Sequence, residues 1–78
     1  MIKFEHLKKA CKELDFNLEE RNIYLCVYDE VERMLMRIFP YDPWKVDFTN
    51  DFNVLECSEK AKLIKAITKD YEDYINED

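Results

Sequence analysis

The stretch "VYDEVERMLMRI", residues 27–38, decides the fold of this 78-residue chain, because it fits both a helix and a β-hairpin. As a helix, this region places apolar side chains at spacings of three and four, and it is rich in helix-forming residues. A helix would, however, leave several apolar groups on its polar side: Ile23, Leu25, Cys26, Met36 and Phe39. Strands accommodate the β-branched and aromatic residues of the block 23–28 well. The pattern therefore favours a hairpin, with the helix as the alternative.

A hairpin sorts these side chains onto two faces, because successive residues of a strand point to opposite sides. One face is apolar throughout and carries Ile23, Leu25, Val27, Met34, Met36 and Ile38. The other face combines apolar and basic groups, namely Tyr24, Cys26, Tyr28, Arg33, Leu35, Arg37 and Phe39. The turn at residues 29–32 contains neither Gly nor Asn, so it requires a loop of about three to five residues.

Amphipathic helices are predicted on both sides of this hairpin. Residues 2–14 form a short helix with a buried stripe of Phe4, Leu7, Cys11 and Leu14. Residues 16–20 are predicted to form a short strand. A second helix begins at Ser58, which can cap it, and its apolar stripe contains Ala61, Ile64, Ile67, Tyr71, Tyr74 and Ile75.

The segment between the hairpin and the second helix is predicted to be irregular. Pro40 and Pro43 interrupt any regular element, and one helical turn is expected at residues 52–55. We therefore predict a single domain, residues 1–78, with an α+β fold: N-terminal helix, three-stranded antiparallel sheet, irregular loop and C-terminal helix. A small all-α bundle is the alternative if residues 23–39 are helical.

The chain is acidic, with a formal net charge of −6. Phosphates would be repelled by this charge, so neither nucleic acid nor an anionic membrane is an expected ligand. The electrostatically natural partner is a basic surface of another protein. An acidic surface also keeps a small protein soluble, and that simpler explanation stays open.

Residues that could perform catalysis or bind a metal are few. His6 is the single histidine, and Cys11 lies on a different face of the same helix, so no metal site is predicted. No serine or cysteine has a base at a suggestive spacing, and the absence of glycine excludes the usual phosphate-binding loops. We therefore predict a protein that is not an enzyme and needs no cofactor.

The three cysteines, Cys11, Cys26 and Cys57, are odd in number and far apart, so a disulfide framework is not expected. Each lies among apolar residues and is predicted to be a small buried side chain, which implies a reducing compartment. The sequence shows no signal peptide and no apolar run of membrane-spanning length. A cytoplasmic location is the resulting expectation.

Two acidic segments are candidates for binding a partner. The first is the C-terminal segment with Asp70, Glu72 and Asp73, where acids lie unfavourably near the negative end of a helix dipole. The second is the proline-bounded loop with Tyr41, Asp42, Trp44 and Asp47, whose aromatic rings suit an interface anchor. The alternatives are a frayed, solvated helix end and rings that fill the core.

The order of a Lys-rich helix, "DFNLEE", "YLCVYDE", "RMLMRI", "VDFTNDFNVL" and "SEKAKLIKAITKDY" resembles small proteins encoded by phages and prophages of Gram-positive bacteria. The resemblance implies a helix, a three-stranded antiparallel sheet, a loop and a helix. The departure is in the turn "DEVER", where such proteins usually have Asp-Gly or Asn-Gly. Size, acidity and element order are also similar to those of anti-CRISPR proteins, some of which resemble DNA in charge.

The functional expectation is a non-enzymatic accessory protein of phage type that binds a basic surface of a host protein in the host cytoplasm. A nucleic-acid enzyme is the partner class that an anti-CRISPR-like or DNA-mimicking inhibitor would take. The alternative is a structural or assembly protein that forms a homo-oligomer, such as a homodimer, through an exposed sheet edge or through Leu35 and Phe39.

Overall fold

A computed structural model describes residues 3–41 and 43–76 of the chain. Its elements are, in chain order, α1 (Glu5–Leu14), β1 (Asn17–Glu20), β2 (Leu25–Tyr28), β3 (Met34–Phe39), β4 (Lys45–Phe48), α2 (Asn50–Asn53) and α3 (Cys57–Ile75). The strands form one antiparallel sheet in the order β1-β2-β3-β4. The predicted α+β fold is therefore confirmed, and the all-α alternative is wrong.

The prediction of three strands is wrong, because the segment expected to be irregular contains β4. Its sequence "KVDF" alternates in the manner of a strand, and Val46 lies opposite Ile38 while Asp47 lies opposite Arg37. Pro43 precedes the strand and so removes no hydrogen bond from the ladder. Pro40 and Pro43 both lie in the connection between β3 and β4, so neither prevents the strand.

The hairpin of β2 and β3 contains an irregularity that sequence alternation does not show. Val27 pairs with Met36 and the next residue, Tyr28, pairs with Met34, so Leu35 is an extra residue in β3. At such a bulge, strict alternation of side chains fails. Leu35 and Met36 are both fully buried. The placement of Leu35 on the arginine-bearing face, and with it Leu35 as an oligomer contact, is therefore wrong.

Helices α1 and α3 lie antiparallel to each other over one face of the sheet. The Leu7 amide contacts Asp70 near the end of α3, and Glu13 contacts Lys62 near its beginning. The shared core contains Phe4, Leu7, Ala10, Cys11, Phe16, Leu25, Val27, Leu35, Met36, Ile38, Phe52, Leu63, Ala66 and Ile67. The predicted stripe of α1 is confirmed for Phe4, Leu7 and Cys11, whereas Leu14 is half-buried.

The buried face of α3 differs from the predicted stripe. It contains Leu63, Ala66, Ile67 and Asp70, whereas Ile64, Tyr71 and Ile75 are exposed. Apolar residues occupy more than half of the circumference of this helix, so periodicity alone does not decide which side the sheet covers. The position of α1 decides it.

The start of α3 also differs from the prediction. The helix begins at Cys57 after Glu56, and the Glu56 amide donates to Glu59 Oε1 at 3.1 Å in a reciprocal capping box. Ser58 therefore lies inside the first turn and is not the cap. Upstream, the predicted helical turn appears as α2, which Thr49 caps through the Phe52 amide.

Two of the three cysteines are buried as predicted, and one is not. Cys11 and Cys26 are buried, and burial raises the pKa of the Cys11 thiol to about 11. Cys11 is therefore protonated and unreactive at neutral pH. Cys57 is exposed, because it is the first residue of α3 and lies outside the face that packs on the sheet. The prediction of burial is wrong for this residue.

Among residues 3–41 and 43–76, three residues other than glycine adopt the left-handed conformation. These are Phe4 (φ 55°), Asp15 (φ 60°) and Glu32 (φ 67°). Asp15 ends α1, and the Phe16 amide donates back to the Cys11 carbonyl at 2.8 Å. A left-handed residue with a Cβ costs about 1–2 kcal/mol, so the chain holds local strain at these points.

No helix in the described part of the chain combines the length and apolar character needed to cross a bilayer.

We predict that Asp15→Gly increases the free energy of unfolding by about 1 kcal/mol, because glycine adopts the left-handed conformation without the steric cost of a Cβ. Urea titration followed by circular dichroism measures the change. Lys9→Gly is the matched control, since the same residue inside α1 should decrease stability by about 1 kcal/mol. An Asp15→Gly variant no more stable than the native chain would contradict the assignment of strain to this position.

Candidate functional site

The loop before β4 and the C-terminal half of α3, which were separate candidates in the sequence, are neighbours in the structure. Trp44 joins them, because its ring centroid lies 5.1 Å from that of Tyr71 and 5.4 Å from that of Tyr74. It also stacks on Phe4 at 5.5 Å. Trp44 is half-buried, and its Nε1 is buried with no hydrogen-bond acceptor among the described residues. The contacts of Trp44 are thus those of a core-filling ring.

The remaining loop candidates differ in exposure. Tyr41 is 51% exposed and accessible to a partner. Asp42 lies outside the described residues. Asp47 lies on the sheet face opposite the helices, where Arg37 and Lys45 approach its carboxylate at 3.6 and 3.8 Å. Its charge is therefore balanced within the chain.

Asp70 has a structural task. It is 1% exposed, and its carboxylate oxygens accept the backbone N–H groups of His6 at 3.1 Å and Leu7 at 2.9 Å. Phe4, the residue before α1, provides no side-chain cap, so Asp70 caps α1 from the neighbouring helix. Burial raises the pKa of Asp70, while the two hydrogen bonds oppose that shift. A buried side chain cannot contact a partner, so Asp70 is removed from the predicted docking surface.

Asp73 and Glu72 complete the C-terminal acidic segment. Asp73 is exposed and lies 3.1 Å from His6 Nε2, whereas Glu72 is exposed to solvent. Possible ligand atoms of His6, Asp70 and Asp73 all lie within 4.8 Å of one another, the one such group among the described residues. Both Asp70 oxygens accept backbone donors and Asp73 pairs with His6, so protein contacts account for the whole group. We interpret the group as a set of polar contacts that joins α1 to α3.

The acidic turn between β2 and β3 is built around a single carboxylate. Asp29 Oδ1 accepts the backbone N–H groups of Val31 at 3.0 Å and Arg33 at 2.8 Å, and Oδ2 accepts Arg33 Nε at 2.9 Å. Glu32 takes the left-handed conformation that glycine normally supplies, and its amide donates to the Asp29 carbonyl. The turn is therefore ordered without glycine, and it exposes Glu30, Val31 and Glu32.

This turn lies at the end of the molecule where acidic residues collect. The end of β2 lies beside the start of β1, and Glu32 shares an open depression with Asn17 and Glu19. The Thr49 amide binds the Leu35 carbonyl at 3.0 Å, which brings the start of α2 to the same end. The contact of Glu13 with Lys62 brings the start of α3 there too. We call this surface the acidic end and define it by Asp15, Glu30, Glu32, Asp51 and Glu56.

Several basic side chains at the acidic end are already engaged. Arg33 binds Asp29, Lys62 lies 3.1 Å from Glu13, and Lys60 donates to the Asn53 carbonyl. The exposed carboxylates of Glu30 and Glu32 have no ion-pair partner within residues 3–41 and 43–76. The acidic end therefore projects negative charge into solvent.

Sequence reasoning missed the acidic end as a candidate, although the adjacent acids of residues 29–32 were visible. The signal was incomplete because the other contributors lie in distant segments, and only the packing of α1, α2 and α3 brings them to the turn. Of the residues predicted from sequence, Tyr41, Glu72 and Asp73 stay exposed at the opposite end.

A second open depression lies along the seam between α1 and β1. Its lining includes Lys8, Cys11, Lys12, Phe16 and Leu18. Cys11 is protonated and buried, and His6 is not among the lining residues.

We predict that Asp70→Asn lowers the free energy of unfolding by about 1–3 kcal/mol, because the amide nitrogen cannot accept a hydrogen bond and leaves one buried N–H without a partner. Urea unfolding measures this loss. Asp73→Asn is the control, since an exposed pair contributes at most about 1 kcal/mol. Equal losses for the two variants would contradict the capping role of Asp70.

We predict a pH-dependent effect for Asp29→Ala. Burial raises the pKa of Asp29, but hydrogen bonds from Arg33 and Val31 together with the Arg33 charge lower it below the ordinary 3.8. Because the folded-state pKa is lowered, the Asp29 carboxylate stabilises the fold at pH values above its ordinary pKa of 3.8. This stabilisation is lost as the pH falls through the folded-state pKa. Thermal melts at neutral pH should therefore show a Tm about 4–8 °C below that of the native chain.

The difference in Tm should shrink when the melts are repeated below pH 3.8. Glu30→Ala is the matched control, because Glu30 accepts none of the described hydrogen bonds of the turn, and its Tm should follow that of the native chain throughout. A gap between Asp29→Ala and the native chain that stays constant with pH would contradict the role assigned to the carboxylate.

Comparison of this chain with protein-family models, with curated proteins and with solved structures gave no match in any of the three. Functional inference therefore depends on the residues and geometry of this chain itself.

Proposed function

We propose that this protein is a non-catalytic accessory protein that docks on a basic surface of another protein through its acidic end. The observation that carries the proposal is the turn built on Asp29, which holds Glu30 and Glu32 exposed in one ordered conformation. An ordered turn loses little conformational entropy on binding, so its contacts convert efficiently into affinity.

The chemistry of the turn suits a partner rich in Lys and Arg. Glu30 and Glu32 offer carboxylates for charge-assisted hydrogen bonds, and Arg binds such groups in a bidentate manner. Val31, which is 66% exposed, lies between them and adds an apolar contact at the centre of the tip. The surrounding acids of the acidic end would increase the association rate through long-range attraction.

A protein with a nucleic-acid-binding groove is the partner class that this surface fits best. Such grooves concentrate Lys and Arg to neutralise phosphates, and exposed carboxylates can compete for the same side chains. The proposal extends, through the resemblance to phage proteins, to a host protein in the host cytoplasm, with inhibition of a nucleic-acid enzyme as the outcome. Nucleic acid itself is not a ligand in this proposal, because phosphates and the acidic end repel each other.

The test is affinity capture from a bacterial lysate on immobilised protein, with mass spectrometry of the retained proteins. The native chain should retain a basic protein that Glu30→Gln/Glu32→Gln fails to retain. A matched control, Glu5→Gln/Glu20→Gln, makes the same change in net charge at exposed positions at the opposite end and should retain it. Purified partner should then bind the native chain with a Kd that rises by about tenfold or more in the Glu30→Gln/Glu32→Gln variant.

Two further measurements test whether the contact is electrostatic and whether the partner surface binds nucleic acid. Affinity should fall as salt rises from about 50 to 300 mM, since exposed charge contacts are screened over this range. Added DNA should displace the protein if the partner surface is a nucleic-acid groove. Docking through the acidic end would be refuted if the partner protein is retained equally by the Glu30→Gln/Glu32→Gln variant. It would also be refuted if the Kd does not change with salt concentration.

A further inference from the structure

Helix α3 presents a second apolar stripe on the side that the core does not use. Its members recur at alternating spacings of three and four residues: Ala61, Ile64, Thr68, Tyr71 and Ile75. Ile64 is 47% exposed, Tyr71 40% and Ile75 55%. This is the a/d pattern of a helix that packs against another helix, and it runs over two heptads.

The stripe is distinct from the face that holds α3 on the domain. Leu63, Ala66 and Ile67 point into the core, and Asp70 reaches α1. At 100° per residue, Ile64, Tyr71 and Ile75 lie about 100° away from the centre of that buried face. Tyr71 meets Trp44 edge-on, with the ring centroids 5.1 Å apart, yet it stays 40% exposed, and Ile64 and Ile75 are more exposed still.

The one polar member of the stripe is already satisfied inside its own helix. Thr68 Oγ1 donates to the Ile64 carbonyl at 2.8 Å. Burial of this hydroxyl in a helix–helix contact would therefore leave no unpaired donor, which removes the main cost of placing Thr in an apolar interface.

The charges beside the stripe indicate which helix packs against it and in which orientation. Lys65 and Glu72 occupy equivalent positions one heptad apart, next to Ile64 and Tyr71. In an antiparallel pair of α3 helices in which Ile64 faces Ile75 of the second copy, Lys65 faces Glu72 of the second copy. The two-fold axis repeats this pair, so two ion pairs form.

The same register matches side-chain size. Tyr71 of each copy faces Thr68 of the other, which sets a large side chain opposite a small one, and isoleucine pairs flank this centre. A parallel pair would instead bring Lys65 beside Lys60 of the second copy, a like-charge contact. The last turn of α3 has acidic but no basic side chains, and Lys65 of the second copy supplies the missing positive charge.

We propose that the exposed stripe of α3 is the contact surface for a second copy of this chain, packed antiparallel about a two-fold axis. The acidic ends of the two copies then point in opposite directions, since each lies near the start of its own α3. The dimer leaves Glu30 and Glu32 free, so this proposal stands independently of the docking function.

The first test measures the oligomeric state of the full chain by sedimentation velocity over a concentration series from micromolar to hundreds of micromolar. The native chain should show a reversible dimer. Ile64→Glu should raise the dimer Kd by about tenfold or more, because it buries a carboxylate against an apolar side chain. Ile23→Glu is the matched control at an apolar residue that is 59% exposed outside the stripe, and its Kd should be unchanged.

The second test uses charge reversal to determine whether the two α3 helices pack antiparallel. Lys65→Glu alone and Glu72→Lys alone each set like charges opposite one another and should weaken self-association. An equimolar mixture of the two variants should form a heterodimer, because every cross-copy pair then joins Glu with Lys. The double variant Lys65→Glu/Glu72→Lys should restore the native Kd.

Circular dichroism spectra that match the native chain establish that each variant is folded, as expected for exposed positions. A native chain that stays monomeric over the whole series would overturn the proposal. A dimer Kd that is unchanged by Ile64→Glu would also overturn it. The same holds if the mixture of the two charge variants associates no more tightly than either variant alone.

Discussion

A buried carboxylate fixes the relation between the two long helices of this protein. Asp70 accepts hydrogen bonds from the His6 and Leu7 amides in the first turn of α1, and this contact sets the end of α3 against the beginning of α1. An unpaired buried carboxylate would be costly, so the two helices are held in this alignment by the need to keep Asp70 hydrogen-bonded. With α1 on one side of α3, the opposite side, with Ile64 and Tyr71, is left exposed.

The absence of glycine imposes a second constraint, and polar side chains meet it. Asp29 supplies the acceptor that organises the β2–β3 turn, and Thr49 and Glu56 cap the two later helices. Phe4, Asp15 and Glu32 adopt the left-handed conformation that glycine normally takes. Apart from Phe4, each of these positions uses an acid or a hydroxyl, so the order of the loops and the acidity of the surface have a common origin. The ordered acidic turn on which the proposed docking depends is one product of this constraint.

The two proposed surfaces occupy different parts of the same domain. The acidic end gathers charge from the β2–β3 turn and the junctions of α1, α2 and α3, and it suits attraction to a basic protein. The stripe of α3 is apolar with balanced charges at its border, which suits a contact between identical chains. A dimer would present two acidic ends, so binding to a partner with repeated basic sites would gain from avidity.

The sequence by itself determined α1 and the existence of α3, which have strong local patterns, and it favoured the β2–β3 hairpin over a helix. It also determined the net charge, because the charge is additive over residues and independent of the fold. Local pattern did not reveal β4, since the four alternating residues between Trp44 and Thr49 become a strand only when β3 offers its edge. It also did not reveal the bulge at Leu35, which moves one side chain from the open face of the sheet into the core.

The tertiary structure alone decided which side of α3 is buried, where Asp70 points and which acids lie together. Ile64 and Ile67 are equally apolar in sequence, yet the sheet covers one and leaves the other exposed. Asp70 and Asp73 are three residues apart on one helix, yet one caps α1 from the interior and the other pairs with His6 at the surface. These outcomes depend on contacts between residues more than sixty positions apart, which local periodicity and composition do not encode.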